Sequence, residues 1–531
     1  MIIGLQLEEM AFEQDIRELL MAFYPGASFW YPEKGKSQSA SKGEHSQEKE
    51  EEQEPDLMVT GRFLRERTEY QLEVERRRER LLAGQLQEKD WKEGEAKLSP
   101  VIQRGLEEAG KNAPFPINDA DRAETKNRIK RRLYFLLMQD TGHQLPWGAL
   151  TGIRPVKIPE GKLAEGWEEE RISSYMEEHY LTGEKKRRLS LEIAKEERRL
   201  LNTLDYGNGY SLYVGIPFCP TTCLYCSFTS YPIGKWQNRV EEYLDALERE
   251  LRAVRSWEEG RVLQTIYVGG GTPTSLPEPH LERLMKMICG TFDISGGMEF
   301  TVEAGRPDSI TREKLSILKA YGVSRISVNP QSMNQKTLDL IGRRHTVDQV
   351  EQVFEMAREA GFDNINMDII LGLPGEGREE VVHTLGAVQR LLPDCLTVHC
   401  LALKRAARLN LERERYQGYP MASGALIDQL VELAGEAARA MGMKPYYLYR
   451  QKNMAGNLEN VGYAMGDKAC LYNILMMEEK QSIVACGAGT TTKRVIPGEN
   501  RIERCENVKD VALYIEKVDE MTRRKRKLFM D

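Results

Sequence analysis

The chain has 531 residues, 41% apolar and 30% charged, which is enough for two or three folded domains with ample core. A net charge of −7 argues against general nucleic-acid affinity, and nine cysteines, three clustered and the rest scattered, exclude a disulfide framework and fit a reducing compartment. No apolar run approaches the ~20 residues that span a bilayer, and the acidic N-terminus (Glu8, Glu9, Glu13, Asp15, Glu18) lacks the basic flank of a signal peptide, so no membrane span and a cytoplasmic location are expected.

Ile3 to Phe23 carries apolar residues at helical spacing and is read as a helix ending at Tyr24-Pro25-Gly26. Residues 34–55 are rich in Ser, Gln, Lys and Glu, a composition that buries too little apolar surface to fold, and a disordered insertion is expected there. Met58 to Val74 alternates in part and predicts strands. Asp121 to Gln139 predicts a strong helix with one apolar face; its other face, with Arg128, Lys130, Arg131 and Arg132, is read as solvated. Leu145 to Pro155, dense in Pro and Gly, predicts a shaped structural loop. Helical patterns run from Arg171 to about Leu204, and Asp205 to Gly209 reads as a hinge closing an N-terminal α+β domain, residues 1–205.

From Ser211 short β-rich runs alternate with amphipathic helices. The predicted strands are Ser211–Phe218, Thr265–Gly269, Met298–Ala304, Ser324–Asn329, Asn364–Leu371 and Leu396–Leu401. The predicted helices are Asn238–Trp257, Glu278–Cys289, Thr311–Tyr321, Gln335–Ile341, Val347–Ala360 and Glu379–Leu392. Repeated right-handed β-α units imply a parallel sheet over 206–405, and doubly wound sheets and barrels both satisfy the pattern. Residues 406–531 form a smaller C-terminal α+β domain expected to cover the substrate side. It holds a helix (Ala425–Met441), the segment Lys444 to Asn453, a strand into a glycine turn (Ile483 to Gly489), and a basic run, Arg523 to Lys527, read as a frayed helix end.

The chemistry gathers at the predicted strand ends. Cys219, Cys223 and Cys226 stand at C-x-x-x-C-x-x-C spacing after the first strand. Three thiolates can hold three irons of a [4Fe–4S] cube and leave the fourth iron without a protein ligand. A zinc site or buried free thiols are the alternatives; zinc needs a fourth Cys or His, and no His lies near. An open iron can chelate the amino and carboxylate groups of S-adenosylmethionine, whose one-electron cleavage gives a 5′-deoxyadenosyl radical, so the chemistry belongs to the cofactor and no side chain is assigned as catalytic. Gly269 to Gly271, Thr272 and Pro273 follow the second strand, and the glycines allow close backbone approach; a tight turn is the plainer reading. Glu303 ends the third strand and Asp368 lies in the fifth, both suited to ribose hydroxyls or, more plainly, to caps and ion pairs. Gln331 and Arg343 suit adenine, ribose or a carboxylate, Arg343 having the bidentate fork or else lying on the surface. His345 reads as structural.

These motifs together resemble the radical S-adenosylmethionine superfamily and, within it, the oxygen-independent coproporphyrinogen III dehydrogenase family. The resemblance rests on Tyr213 through Phe228, Gly269 through Thr274, Thr301 to Ala304, Arg325 to Ser327 with Gln331-Ser332, Gly342 to His345, and Asn366 to Asp368 with Gly372 to Pro374. It implies a partial (β/α)6 parallel-sheet barrel, α/β in class. It implies oxidative decarboxylation of two propionates of coproporphyrinogen III to vinyls, giving protoporphyrinogen IX for haem, with hydrogen taken from the propionate β-carbon. On matching positions, Cys219, Cys223 and Cys226 would ligate the cluster, and Tyr213, Gly270 and Glu303 would contact the first S-adenosylmethionine. Tyr225, Gly271, Thr272, Gln331, Arg343, Asp368 and Ala402 would line the site of a second. The implied partners are a tetrapyrrole substrate and an electron donor such as flavodoxin or ferredoxin.

Three departures stand out. Gly215 replaces the family's usual His, and Asn329-Pro330 replace Gly-Val. Phe228 stands at the position of a fourth cysteine of the dehydrogenases, as in relatives that act as haem chaperones; the chaperones' His-Asn-x-x-Tyr-Trp signature is missing here, the nearest stretch being Leu471 to Ile474. A haem chaperone and a radical enzyme on another tetrapyrrole are therefore the alternative readings.

Overall fold

A computed structural model describes residues 1–8, 10–32, 55–64, 68–76, 98–111, 113–118, 120–257, 260–294, 298–402, 407–411, 419, 422–451, 458–496, 499 and 501–530. The insertion expected at 34–55 lies almost wholly outside the described residues, as do Lys452 and Asn453. The chain forms two compact units, Met1–Leu191 with Arg450–Leu458, and Glu192–Tyr449 with Glu459–Asp531.

In the first unit Ile2–Leu7 is a strand, lying parallel to Ser28–Trp30 on one side and to Leu57–Leu64 on the other. Leu57–Leu64 and Glu69–Arg76 pair antiparallel, and Phe115–Pro116 completes the sheet. The helix read over Ile3 to Phe23 is thus confined to Glu13–Phe23. The reason is local: Ile3 and Leu5 share one buried face at strand period, β-branched Ile2 and Ile3 favour extended backbone, and only Ile16, Leu19 and Leu20 continue a helical stripe. Helices Pro100–Gly110 and Arg122–Thr141 supply the rest of this core, through Ile102, Ile129, Leu133 and Leu137.

The basic face of Arg122–Thr141 is not simply solvated. Lys130 is 7% exposed and donates to Thr151 Oγ1 at 2.7 Å, and Arg132 donates to the carbonyls of Glu108 and Ala113. Burial pushes the Lys130 ammonium down to about 8. The Pro/Gly loop before residue 155 buries Trp147 completely, and Arg450 of this unit lies 5.6 Å from that ring while donating to the Leu150 carbonyl.

The second unit is built on one eleven-stranded sheet, whose strands we number β1 Gly209–Ile216, β2 Val262–Gly270, β3 Glu299–Glu303, β4 Arg325–Ser327, β5 Ile365–Leu371, β6 Cys395–Cys400, β7 Lys444–Arg450, β8 Glu459–Ala464, β9 Ser482–Cys486, β10 Thr491–Ile496 and β11 Arg501–Glu506. The order is β7-β8-β6-β5-β4-β3-β2-β1-β9-β10-β11. From β1 to β6 each strand lies parallel to the next in chain order, joined by the six predicted helices. That uninterrupted succession separates the two readings the pattern allowed, because a doubly wound sheet reverses its order at a switch point; the core is of the (β/α)6 barrel type.

Residues after 405, expected as a covering domain, extend this same sheet at both edges: β8 pairs antiparallel with β6, and β9 pairs parallel with β1. The basic run is no frayed end either. It lies in the helix Val511–Met530, where Lys525 is 0% exposed and ion-paired with Glu250.

Alternation sorts the strand residues. Leu212, Val214, Ile266, Val268, Phe300, Val302, Ile326, Met367 and Leu396 are fully buried on the helix-covered face. The opposite face carries Tyr213, Tyr267, Glu299, Thr301, Glu303, Arg325, Asn366, Asp368, Thr397 and His399. Its strand N-terminal end is closed by the helix Leu471–Glu478, whose first N–H groups, Leu471 and Tyr472, donate to Glu299. The strand C-terminal end stays lined with polar groups. No helix among the described residues is long and apolar enough to cross a membrane.

Candidate active site at the C-terminal rim

Cys219 ends a two-residue strand, Phe218–Cys219, just beyond β1, and the loop that follows carries Cys223 and Cys226. The loop is tied on every side. Thr272 N donates to Phe218 O at 2.7 Å, Leu224 N to Ile341 O at 2.9 Å, and Thr221 Oγ1 to Gly342 O at 3.2 Å. Cys219 Sγ lies 3.5 Å from Thr272 Oγ1, Cys226 Sγ 3.9 Å from Ser230 Oγ, and Cys223 Sγ accepts from Arg306 Nη1 at 3.4 Å. Arg306 is itself buried and fixed by Asp308 at 2.7 Å. Burial pushes the Cys219 thiol up to about 11 and the Cys226 thiol up as well, so both are neutral thiols until an electrophilic partner claims them.

All nine cysteines are free thiols, and among the described residues no three His, Cys, Asp or Glu side chains converge on a single metal-ion position. In a cubane each thiolate holds a different iron, so three separated thiols on one loop fit it.

Beside this loop the second strand ends in a cradle. Gly270 has φ +101°, and a Cβ on Gly271 would stand 2.5 Å from Phe218 O and 2.7 Å from Ile216 O, so both positions demand glycine. Tyr213 and Tyr267 face each other in register on β1 and β2, stacked at 6.0 Å, and Tyr267 stacks on Tyr472 at 4.6 Å. The Tyr267 hydroxyl donates to Glu303 Oε1 at 2.6 Å. Burial, reinforced by nearby Asp368, pushes the Glu303 carboxyl up to about 7 despite that hydrogen bond. Asp368 moves the other way: burial would raise it, but His399, with Nε2 at 3.8 Å, and the Asn366 amide at 2.7 Å hold it below the usual range.

Glu303 makes a testable pH signature. Its folded pKa lies above the ordinary value of 4.5, so its contribution to stability is complete below pH 4.5 and is lost as pH rises through about 7. Urea midpoints between pH 4.5 and 8 should show the wild type losing ground to Glu303→Gln across that window and no further above it. A pH-independent difference would mean that Glu303 does not change charge there.

Gln331 has φ +67° and is pinned by Gln331 N to Asp368 O and Ile370 N to Gln331 O, both at 2.9 Å. Its Oε1 finds no partner within the protein, and neither do the buried Thr301 Oγ1, Ser327 Oγ, Asn329 Oδ1 and Arg343 Nε. Buried polar atoms without partners are costly, and Ser327, Asn329 and Gln331 bring three of them together at the end of β4. Arg343 is not a surface residue: it is 4% exposed and its two terminal nitrogens donate to the carbonyls of Asn329, Pro330 and Gly305. Tyr225 lies in the cluster loop, its phenol pushed up by burial, and Ala402 follows β6. His345 is fully buried, and burial with the neighbouring Arg343 charge pushes its imidazole down to about 3, so it stays neutral. Sequence reading missed Arg306, Tyr267, Tyr472 and His399. The Tyr213–Tyr267 register and the Gly305-Arg306 step after β3 were the available signals.

Residues 213–388 match the Radical SAM superfamily. The oxygen-independent coproporphyrinogen-III oxidase-like protein HemZ of Bacillus subtilis is 40% identical over 405 residues, which cover 75% of this chain and 80% of that protein. The chain belongs to this oxidase-like family of radical S-adenosylmethionine proteins. The heme chaperone HemW of Bacillus subtilis is 41% identical over 195 residues, 36% of this chain and 51% of that one. The crystal structure of the Escherichia coli coproporphyrinogen III oxidase overlays with a TM-score of 0.49 at 23% identity, covering 61% of this chain and 73% of that one.

Membership of the oxidase-like family brings a [4Fe–4S] cluster and S-adenosylmethionine as cofactors. The rim fits both. Three thiols on one loop are available to irons, glycine at 270 and 271 lets the end of the second strand lie close against the Ile216 and Phe218 backbone beside that loop, and Glu303 and Asp368 offer carboxylates on the same face for amino and hydroxyl groups.

Proposed function

We propose that the protein decarboxylates two propionate side chains of coproporphyrinogen III without oxygen, giving protoporphyrinogen IX. The observation that carries this reading is the breadth of the similarity to the coproporphyrinogen-III oxidase-like protein, 75% of the chain, which reaches well beyond the radical core. Cys219, Cys223 and Cys226 hold the cluster, which together with S-adenosylmethionine supplies a 5′-deoxyadenosyl radical. Tyr213, Gly270 and Glu303 seat the first S-adenosylmethionine. Tyr225, Gly271, Thr272, Gln331, Arg343, Asp368 and Ala402 line the second position. One electron from an external donor such as flavodoxin or ferredoxin cleaves each S-adenosylmethionine, and the electron left when each CO₂ departs passes to an external one-electron acceptor. The chain's own work is to orient these groups and keep the polar face of the sheet dry.

A second reading, a haem chaperone, is favoured by one observation. Phe228, at the position of the dehydrogenases' fourth cysteine, is 71% exposed beside the cluster loop, a site that suits contact with a flat apolar macrocycle more than iron ligation. Anaerobic incubation of the reconstituted protein with coproporphyrinogen III, S-adenosylmethionine and reductant separates the two. Vinyl products with stoichiometric 5′-deoxyadenosine are expected. Tight haem binding and transfer with no vinyl product would replace the first reading by the second.

A further inference from the structure

The protein carries seven more acidic than basic side chains, yet the surface around the cluster loop is basic. Loop residues 220–222, between the first two cysteines, form one wall of a cleft of about 870 Å³. Lys235, Arg344 and Arg408 stand exposed around it, the buried Arg343 lies behind it, and Asp339 is the one acidic residue among the described residues that line it. Among the described residues, four cations against one anion reverse the sign of the chain as a whole, which makes this a local electrostatic feature.

The cleft also has a short route to the cluster position. Thr222 precedes Cys223 in the chain, and Arg306 Nη1 hydrogen-bonds both Thr221 Oγ1, at 3.1 Å, and Cys223 Sγ, at 3.4 Å. A surface side chain, a guanidinium and a ligand sulfur therefore form one connected series. Tyr213, Gly270 and Glu303 take no part in the cleft, which opens on the cluster loop itself.

We propose that this cleft is the docking surface for a small acidic one-electron carrier protein that reduces the cluster. The proposal rests on the reading of the three cysteines as cluster ligands. The step moves one electron from the reduced carrier to the cluster, leaving the carrier oxidised by one electron, with no bond made or broken. Exposed rim cations raise association rate and salt sensitivity more than affinity, which suits a partner that must arrive, deliver and leave. A small-molecule pocket, by contrast, encloses and buries its ligand, whereas this cleft lies open.

The test uses the full chain with its cluster reconstituted anaerobically, flavodoxin as the probe, and no tetrapyrrole present, so that its outcome is independent of which substrate the enzyme takes. Calorimetric titration and stopped-flow cluster bleaching are expected to show Lys235→Glu/Arg344→Glu weakening flavodoxin binding and slowing flavodoxin-driven reduction by about tenfold or more at low salt. Raising the salt should narrow the gap to wild type. Reduction by dithionite, iron content and thermal midpoint should not change, and Arg523→Glu/Lys527→Glu, on the exposed side of the C-terminal helix, should behave as wild type. Wild-type flavodoxin binding and reduction by the cleft variant would overturn the proposal. So would equal slowing with dithionite.

Discussion

Replacing Cys219, Cys223 or Cys226 singly by alanine should abolish the iron–sulfur absorption of the reconstituted protein and cut reductive formation of 5′-deoxyadenosine by more than about 100-fold, beyond the 10–100-fold expected when an outer hydrogen-bonding partner is lost. The physical reason is that three thiolates are the loop's whole donor set, and no fourth Cys or His lies near to substitute. Alanine at any of the other six cysteines should leave iron content unchanged, since Cys289, Cys395, Cys400, Cys470, Cys486 and Cys505 lie outside the loop. Arg306→Leu makes the informative intermediate. It removes the donor to Cys223 Sγ while keeping every thiol, so iron should bind and the cluster potential should fall, as the sulfur loses a positive neighbour. Full iron loading in any of the three loop variants would refute the assignment.

The second large effect lies away from the rim. Lys525→Met should destabilise the second unit by about 3–5 kcal/mol, read as a shift of its urea midpoint, because Glu250 would be left buried without a cation. Both side chains are 0% exposed. Glu250 also accepts from Gly487 N and Tyr514 Oη at 2.7 Å and from Asn507 Nδ2 at 2.9 Å. The double variant Glu250→Gln/Lys525→Met should recover part of the loss, since the amide carries no charge while its oxygen still accepts from the buried donors around it, whereas Glu250→Leu/Lys525→Met should not, because it leaves Gly487 N, Tyr514 Oη and Asn507 Nδ2 without an acceptor. A midpoint in Lys525→Met within the scatter of the wild type would show that the buried ion pair is not needed for stability.

The parts legible in the sequence were those governed by short-range pattern. The six strands and six helices of the core appear at nearly their predicted limits because turn residues, β-branched runs and helical stripes all agree there. What stayed hidden depended on partners far along the chain. Lys525 sits in a run of five cations that reads as a frayed helix end, and only the meeting with Glu250, 275 residues earlier, buries it. Arg343 reads as a surface fork until three carbonyls close on it. Ile2–Leu7 is a strand because Leu57–Leu64 is there to pair with it, and a helix stripe begins only six residues later. Strand β9 was visible as a strand, but its place beside β1 was not, since parallel neighbours carry no mark of each other in sequence.

That last pairing sets a clock on synthesis. The strand leading into the cysteine loop meets β2 soon after it is made, but its other neighbour is encoded some 270 residues later, as the Ser211–Gln481 hydrogen bond shows. At ~5–20 residues per second, translation leaves the outer edge of β1 unpaired for roughly 15–50 s. Over that interval an open row of backbone donors and acceptors stands beside three unliganded thiols. The ribosome's pace thus decides how long the most reactive stretch of the chain must be shielded before its own C-terminal strand arrives to cover it.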